Sequence, residues 1–333
     1  MPDANETLPD IAHAITHIGH ALVPSSLKAL NRLVGALADI PAAYAEGISE
    51  RVRSKTRAQS AVDDAISKAA ALLAAGDDET VNRALDVLVR KEYRKQVNRQ
   101  AVAKALLEDL RTDPDQSGAS SEAPQTDIIE DDWLNVFERY AEDASTERMQ
   151  KLWGRVLAGE VRKPGRFSMR TLRFLSEFSQ ADALLFADFC SSTFAGLAPR
   201  SLVVGSDVQD IRWLLNLETA GLISGASAGL QRTIQFDSQG VSFLVEGDLA
   251  LQFRGAPETP FATHCLVLTP LGQELISLLP DHDVVAAARK VALAMRQDIA
   301  IAAHLLRIGT DNLARPMEIL WEPPAPTVDA TPS

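Results

Sequence analysis

Residues 131–188 carry the pattern that most restricts the fold of this chain. Apolar side chains recur there at helical spacing in four successive stretches, which cap and turn residues separate. The second stretch shows the spacing most clearly, with Met149, Leu152, Trp153, Val156 and Leu157 on one face. The pattern therefore predicts four short helices that pack into one compact domain.

The residues between these stretches predict where each helix begins and ends. Ser145 is expected to cap the second helix, and Gly159 is expected to weaken its end. Lys163–Gly165 predicts a turn, Ser168 is expected to cap the third helix, and a capping-box pattern begins at Ser179.

The sequence before this segment predicts long helices and then a linker. It is Ala-rich with helical periodicity, and it predicts helices over residues 7–22, 26–41, 42–75 and about 77–110. Residues 112–127 are polar and rich in Pro, Ser and Gly, which is typical of a flexible linker.

From residue 201 onwards the pattern changes to short helices and extended runs. It predicts a helix at 206–220, extended runs at 230–236, 241–253 and 261–268, and helices at 269–279 and 283–307. The order of these elements, with the phrase that joins Leu268 and Thr269 to Gly272 and Leu275, resembles the second half of a winged-helix domain.

Together these elements predict a mainly α fold with long N-terminal helices, a compact helical domain and a small winged-helix-like α+β C-terminal part. The predicted parts are an N-terminal helical region (1–111), a linker (112–127), the helical domain (128–198), the α+β part (199–280), a C-terminal helix (281–321) and a disordered tail (322–333).

Seven short phrases in the helical segment resemble a bacterial family called domain of unknown function 2806. The phrases are Trp133-Leu134, Tyr140–Asp143, Met149-Gln150, Leu152–Arg155, Leu157–Glu160, Lys163–Gly165 and Ser168–Leu172. The resemblance is strongest over residues 128–190, continues to about residue 280, and implies no catalytic residue. The single phrase LWGRVLAG also resembles the abortive infection alpha family, which implies a role in antiphage defence.

Three histidines suggest a metal site. His13, His17 and His20 follow one another at i, i+4 and i+7 on the first predicted helix, a spacing at which imidazoles can bind Zn²⁺ or Ni²⁺. Because no carboxylate or Cys nearby completes a ligand set, the pattern favours an exposed polar helix face over a metal site.

Two basic features are candidates for contact with a nucleic acid or a partner. The first is a stripe on one predicted helix, formed by Arg90, Lys91, Arg94, Lys95 and Arg99. The second is Arg212, the lone cation of the helix that would face DNA in a winged-helix domain. A net charge of -12 disfavours a general nucleic-acid coat protein.

The sequence contains no motif of the common enzyme classes, and we predict no cofactor. It has no Gly-rich phosphate loop, no G-x-S-x-G and no H-E-x-x-H. Cys190 and Cys265 lie far apart in apolar runs, so we expect buried free thiols in a reducing cytoplasm. The sequence predicts neither a signal peptide nor a transmembrane segment.

We therefore expect a cytoplasmic, non-enzymatic protein-interaction module in which the N-terminal helices mediate self-association or partner binding. Antiphage defence or a stress response is the setting that the resemblance implies. The alternative is a DNA-binding regulator that acts through the winged-helix-like part and binds duplex DNA in a salt-dependent way. Membrane association of the first two helices is disfavoured, because only Lys28 and Arg32 are basic there.

Overall fold

The computed structural model describes residues 29–30, 32–33, 78–112, 129–204, 211–279, 282–296 and 300–322. Several predicted features lie outside the described residues. They are the helices predicted at 7–22 and 42–75, the three histidines His13, His17 and His20, the expected linker after Thr112 and the expected tail after Glu322. The chain divides into two compact units, Met1–Leu172 and Arg173–Ser333. In the described part of the chain, no helix is both long enough and apolar enough to cross a membrane.

The first unit is helical in its described part. Its helices are α1 (Asp78–Thr112), α2 (Asp131–Asp143), α3 (Glu147–Arg162) and the beginning of α4 (Met169–Glu177). The second half of α1 packs against α2 and α3, and it buries Val102, Ala103, Leu106 and Leu107. The helical residues Ala29, Leu30 and Leu33 are also buried.

Aromatic side chains fill the core of this unit. The rings of Trp133 and Phe137 stack, the ring of Trp153 meets Phe137 edge-on, and Tyr140 stacks on Trp153 at 5.5 Å. The indole N–H of Trp133 donates to the carbonyl of Phe167 at 2.7 Å. These residues therefore act first as core residues, as their helical spacing indicates.

Two details of α3 differ from the sequence-based prediction. Thr146 caps the helix in place of the predicted Ser145, and its side chain accepts from the Met149 amide. The helix does not end near Gly159 but continues to Arg162. A Cβ at Gly159 would lie 2.6 Å from the Phe167 ring, so this glycine serves a close contact rather than a helix end.

The second unit begins with a sheet built around one long strand. After the rest of α4 come α5 (Gln180–Cys190), β1 (Leu197–Pro199), α6 (Arg200–Val203), α7 (Ile211–Thr219), β2 (Ile223–Ser224) and β3 (Leu230–Gln235). Strand β6 (Pro260–Leu268) pairs antiparallel with β1 along one edge and with β2 and β3 along the other. Thr269 then caps α8 (Pro270–Ile276).

A second antiparallel sheet completes this unit. Its strands are β4 (Val241–Glu246), β5 (Leu249–Gly255), β7 (Ala300–Ile308) and β8 (Ala314–Trp321), paired in that order. Helix α9 (Val284–Ala294) lies between β6 and β7 in the chain and contributes Ala288, Val291 and Ala292 to the core. The same core contains Phe253, Phe261 and Trp321.

The prediction of a mainly α fold with a small α+β part is wrong. The structure is about 52% helical and 24% strand, with two antiparallel sheets of four strands each among the described residues. The largest single error is the C-terminal helix predicted over 281–321, because among the described residues of that range only Val284–Ala294 is helical and two strands follow. Strand β7 is Ala- and Leu-rich, but it lies between β5 and β8, and cross-strand pairing overrides its helix propensity.

Candidate functional site

The predicted basic stripe lies on α1, and two of its residues face α2 instead of solvent. Lys95 Nζ lies 2.9 Å from Glu142 Oε2. Arg99 Nη1 lies 3.1 Å from Glu138 Oε1 and 3.3 Å from Glu142 Oε1. The hydrogen bond to Glu142 raises the pKa of Lys95 above its usual value, although burial opposes the shift.

Further polar contacts join the same network. Arg32 Nε donates to Glu138 Oε2 at 3.1 Å, and Arg32 also contacts Asn135. The Asn98 amide donates to the backbone carbonyl of Glu142 at 2.7 Å. These contacts hold α2 against α1, so Lys95 and Arg99 have a structural role.

The rest of the stripe is exposed. Arg90 pairs with Asp86 one turn away, an exposed pair that contributes little to stability. Lys91 and Arg94 are exposed and have no acidic partner among the described residues. Of the five predicted residues, Lys95 and Arg99 thus pair with acids of α2, whereas Arg90, Lys91 and Arg94 are exposed.

The first half of α1 exposes apolar side chains that the sequence analysis did not single out. Val87, Leu88, Val89 and Tyr93 are 65%, 53%, 63% and 56% exposed, and we call these four residues the apolar ridge of α1. Leu88 lies two helical turns before Lys95, and thus on the face that packs against α2 further along α1. Val89 and Tyr93 lie one turn apart on another face. The signal was present in the sequence as the run Val87-Leu88-Val89, which places apolar residues around the helix instead of along one stripe.

The outer face of the second sheet also exposes apolar side chains, which lie at its two edges. Phe243, Gln252, His304 and Ile319 lie opposite one another on β4, β5, β7 and β8. Phe243 and Ile319 at the two edges are 47% and 62% exposed. In the centre, His304 forms hydrogen bonds with Gln252 and Glu322.

The turn between α3 and α4 is held by a buried carboxylate that sequence reasoning missed. Glu160 is 2% exposed and accepts the backbone N–H groups of Gly165, at 2.6 Å, and Phe167, at 3.0 Å. The sequence feature that could have indicated this role is a single acidic residue within the apolar run from Val156 to Val161. The Glu160 carboxylate therefore fixes the backbone of the predicted turn at Lys163–Gly165 through these two hydrogen bonds.

Arg212 and the two cysteines are the remaining candidates among the described residues. Arg212 is exposed on α7, and Glu218 at the end of that helix accepts the backbone N–H groups of Gly225, Ala226 and Ser227. Cys190 and Cys265 are buried free thiols, and burial raises the pKa of each, which disfavours a reactive thiolate. Among the described residues, no group of three His, Cys, Asp or Glu side chains could hold a metal ion.

One protein-family model matches part of the chain. Residues 83–232 match the model of the family described as Protein of unknown function (DUF2806), which supports the resemblance seen in the sequence. The matched range includes most of α1, the aromatic core of the first unit and the start of the second unit. No curated protein and no solved structure is significantly similar to this chain.

Proposed function

We propose that this protein is a non-enzymatic protein-interaction module that self-associates through the first half of α1. The observation that carries the proposal is the exposure of the apolar ridge, four large apolar side chains within seven residues. Burial of Val87 and Leu88, which are neighbours around the helix, would contribute roughly 1.5–3 kcal/mol for each side chain.

The charge pattern of α1 favours a second copy of this chain as the partner. The first half of α1 begins with Asp78 and Glu79, whereas the exposed Lys91 and Arg94, which have no acidic partner among the described residues, lie near its other end. When two copies of this half-helix pack antiparallel, the acidic end of one lies beside the basic residues of the other. Val87 and Leu88 then lie near the two-fold axis, so the interface is self-complementary.

Sedimentation of the full-length protein tests the proposal with one variant and one matched control. We expect a dimer for the wild type and a monomer for Leu88→Glu, because the variant places two carboxylates near the centre of the interface. Leu184→Glu is the control, since Leu184 is 66% exposed on α5 of the second unit and is not part of the apolar ridge. A wild type that stays monomeric, or a Leu88→Glu variant as dimeric as the wild type, would contradict the proposal.

Charge reversal tests the antiparallel arrangement separately. Glu79 and Arg94 are exposed near opposite ends of the half-helix. We expect Arg94→Glu to weaken the dimer and the double change Arg94→Glu with Glu79→Arg to restore it. A dimer that survives Leu88→Glu but not Phe243→Glu would instead assign the interface to the outer face of the second sheet.

The proposed setting is antiphage defence or a stress response in the bacterial cytoplasm. It rests on the resemblance of LWGRVLAG to the abortive infection alpha family, and that resemblance is one helix long. Plaque counts on host cells with the intact gene, a deletion and the Leu88→Glu variant test it. Equal plating on all three strains with a broad phage panel would argue against a role in defence.

A further inference from the structure

The turn between α3 and α4 concentrates positive charge in an otherwise acidic protein. Arg162, Lys163, Arg166 and Arg170 lie within nine residues, and no Asp or Glu occurs between residues 161 and 172. We call these four residues the basic turn. It belongs entirely to the first unit and lies outside the surface that we propose for self-association.

Only part of this charge is neutralised. Arg162 Nη1 lies 2.7 Å from Asp109 Oδ1, and its Nη2 donates to the Asp109 carbonyl at 2.9 Å. Lys163 and Arg170 are exposed and have no acidic partner among the described residues. Burial lowers the pKa of Arg166, and the neighbouring Arg162 guanidinium lowers it further, with partial compensation from Asp109 and Glu160. The basic turn thus contrasts with Lys95 and Arg99, which acids of α2 neutralise.

Hydrogen bonds within the protein fix the backbone that carries these cations. Glu160 accepts the amides of Gly165 and Phe167, and the Trp133 indole holds the Phe167 carbonyl. The guanidinium of Arg166 lies over the Phe167 ring, 5.5 Å from its centre. Because the turn is preorganised, binding there costs less conformational entropy than binding to a flexible loop.

We propose that the basic turn binds the phosphate backbone of a nucleic acid. Guanidinium groups form paired hydrogen bonds with phosphate oxygens, and three of these four cations are arginines. An acidic protein partner fits less well, because protein interfaces centre on buried apolar anchors. Within the basic turn and the first residues of α4, Met169 is the only large apolar side chain that is exposed, so a protein partner would find one apolar anchor there.

Fluorescence anisotropy with a short labelled DNA duplex, a single-stranded RNA of equal length and a poly-glutamate competitor tests the proposal. We expect salt-dependent binding of at least one nucleic acid by the full-length protein. The triple variant Lys163→Gln, Arg166→Gln and Arg170→Gln should bind more weakly. Its slope of log affinity against log salt should fall by roughly 0.7–0.9 for each phosphate that the variant no longer neutralises.

A charge-matched triple variant is the control. Lys104→Gln, Arg139→Gln and Arg148→Gln remove three exposed cations of the first unit that belong neither to the basic turn nor to the proposed self-association surface. They should leave the affinity and the salt slope close to those of the wild type. The double variant Lys163→Gln and Arg170→Gln changes only exposed side chains, so it preserves the test if removal of the half-buried Arg166 disturbs folding.

Three results would overturn the proposal. The first is no binding of either nucleic acid at low salt. The second is an equal decrease of affinity in both triple variants, which would indicate general charge attraction. The third is poly-glutamate binding as tight as the tightest nucleic acid, which would assign the basic turn to an acidic protein partner.

Discussion

At the scale of single residues, burial decides what a charged or strained side chain does. Glu160 has the same carboxylate group as the exposed glutamates of the chain, but it is buried and accepts two backbone N–H groups. Buried polar groups are nearly always hydrogen-bonded, so this carboxylate and these two amides depend on each other. No local pattern at Glu160 distinguishes this role from that of a solvated acid.

Removal of the Glu160 carboxylate should destabilise the first unit. Glu160→Ala leaves the amides of Gly165 and Phe167 without their acceptor, which we expect to cost about 3 kcal/mol. Glu160→Gln keeps one acceptor oxygen and should cost less. Urea unfolding measures both, with Glu177→Ala as an exposed control that we expect to resemble the wild type. Equal stability of Glu160→Ala and the control would contradict the structural role.

The turn from Phe194 to Leu197 predicts opposite effects for two neighbouring substitutions. Ala195 and Gly196 both have positive φ, 52° and 69°. Ala195→Gly should therefore stabilise the protein by up to about 1 kcal/mol, because it relieves left-handed strain. Gly196→Ala should destabilise it by about 1–2 kcal/mol. Thermal unfolding of the two variants checks the signs, and shifts in the same direction would contradict this assignment.

The burial of His282 leads us to expect that the stability of the protein depends on pH. The Nε2 atom of His282 is buried and has no hydrogen-bond partner among the described residues, and burial lowers the pKa of the ring despite the nearby Glu246 and Asp283. Folding therefore favours the neutral ring, and the unfolded chain binds the proton more readily, near pH 6.5. Stability should fall as the pH drops below about 6.5, and His282→Gln should reduce this slope. Urea unfolding at several pH values measures it, and parallel curves for the two proteins would argue against it.

At the scale of elements, the approach of α1 to α3 shows how one small residue sets helix packing. A Cβ at Gly154 would lie 2.6 Å from the Cβ of Ala105 and 2.9 Å from the backbone nitrogen of Leu106. No side-chain rotation relieves a contact with backbone, so any larger residue must move a helix. In the sequence, Gly154 is a departure from helix propensity, and only the packing explains it.

Gly154→Ala should destabilise the protein although alanine favours helix. The propensity gain is about 1 kcal/mol, and we expect overpacking to outweigh it by about 1–2 kcal/mol. Ala105→Gly in the same chain should recover part of the stability, because it removes the nearer of the two contacts. A double-mutant cycle by urea unfolding measures the coupling. Additive effects would show that the two residues do not share the contact.

The strands show where local patterns fail at this scale. The extended run predicted at 241–253 is two strands joined at Gly247, which has a φ of 58°. The turn residues Gly247 and Asp248 were present in the sequence, but apolar residues on both sides concealed the break. Strand β7 was predicted as helix because nothing local shows that β5 and β8 pair with it.

At the scale of the whole molecule, stability should depend on concentration if the chain self-associates. A dimer that unfolds to monomers gains stability with concentration by mass action. The apolar ridge is the described surface of α1 that a second copy would cover.

The melting temperature should therefore rise with protein concentration for the wild type and for Leu184→Glu. It should be independent of concentration for Leu88→Glu, because that variant is monomeric throughout. Differential scanning fluorimetry over a wide concentration range measures this. A wild-type melting temperature that does not change with concentration would count against self-association, whatever its sedimentation at one concentration.

The sequence by itself determined where α3, α4 and α5 begin. Their observed caps lie at the predicted residue or next to it, because periodic apolar faces and cap residues are local signals. Tertiary structure alone decided that β7 is a strand, that Glu160 anchors a turn, that acids of α2 neutralise Lys95 and Arg99, and that Lys163 and Arg170 stay exposed. The physical reason is that these properties depend on residues distant in sequence, such as Glu142 for Lys95 and β5 for β7, whose proximity no local pattern records.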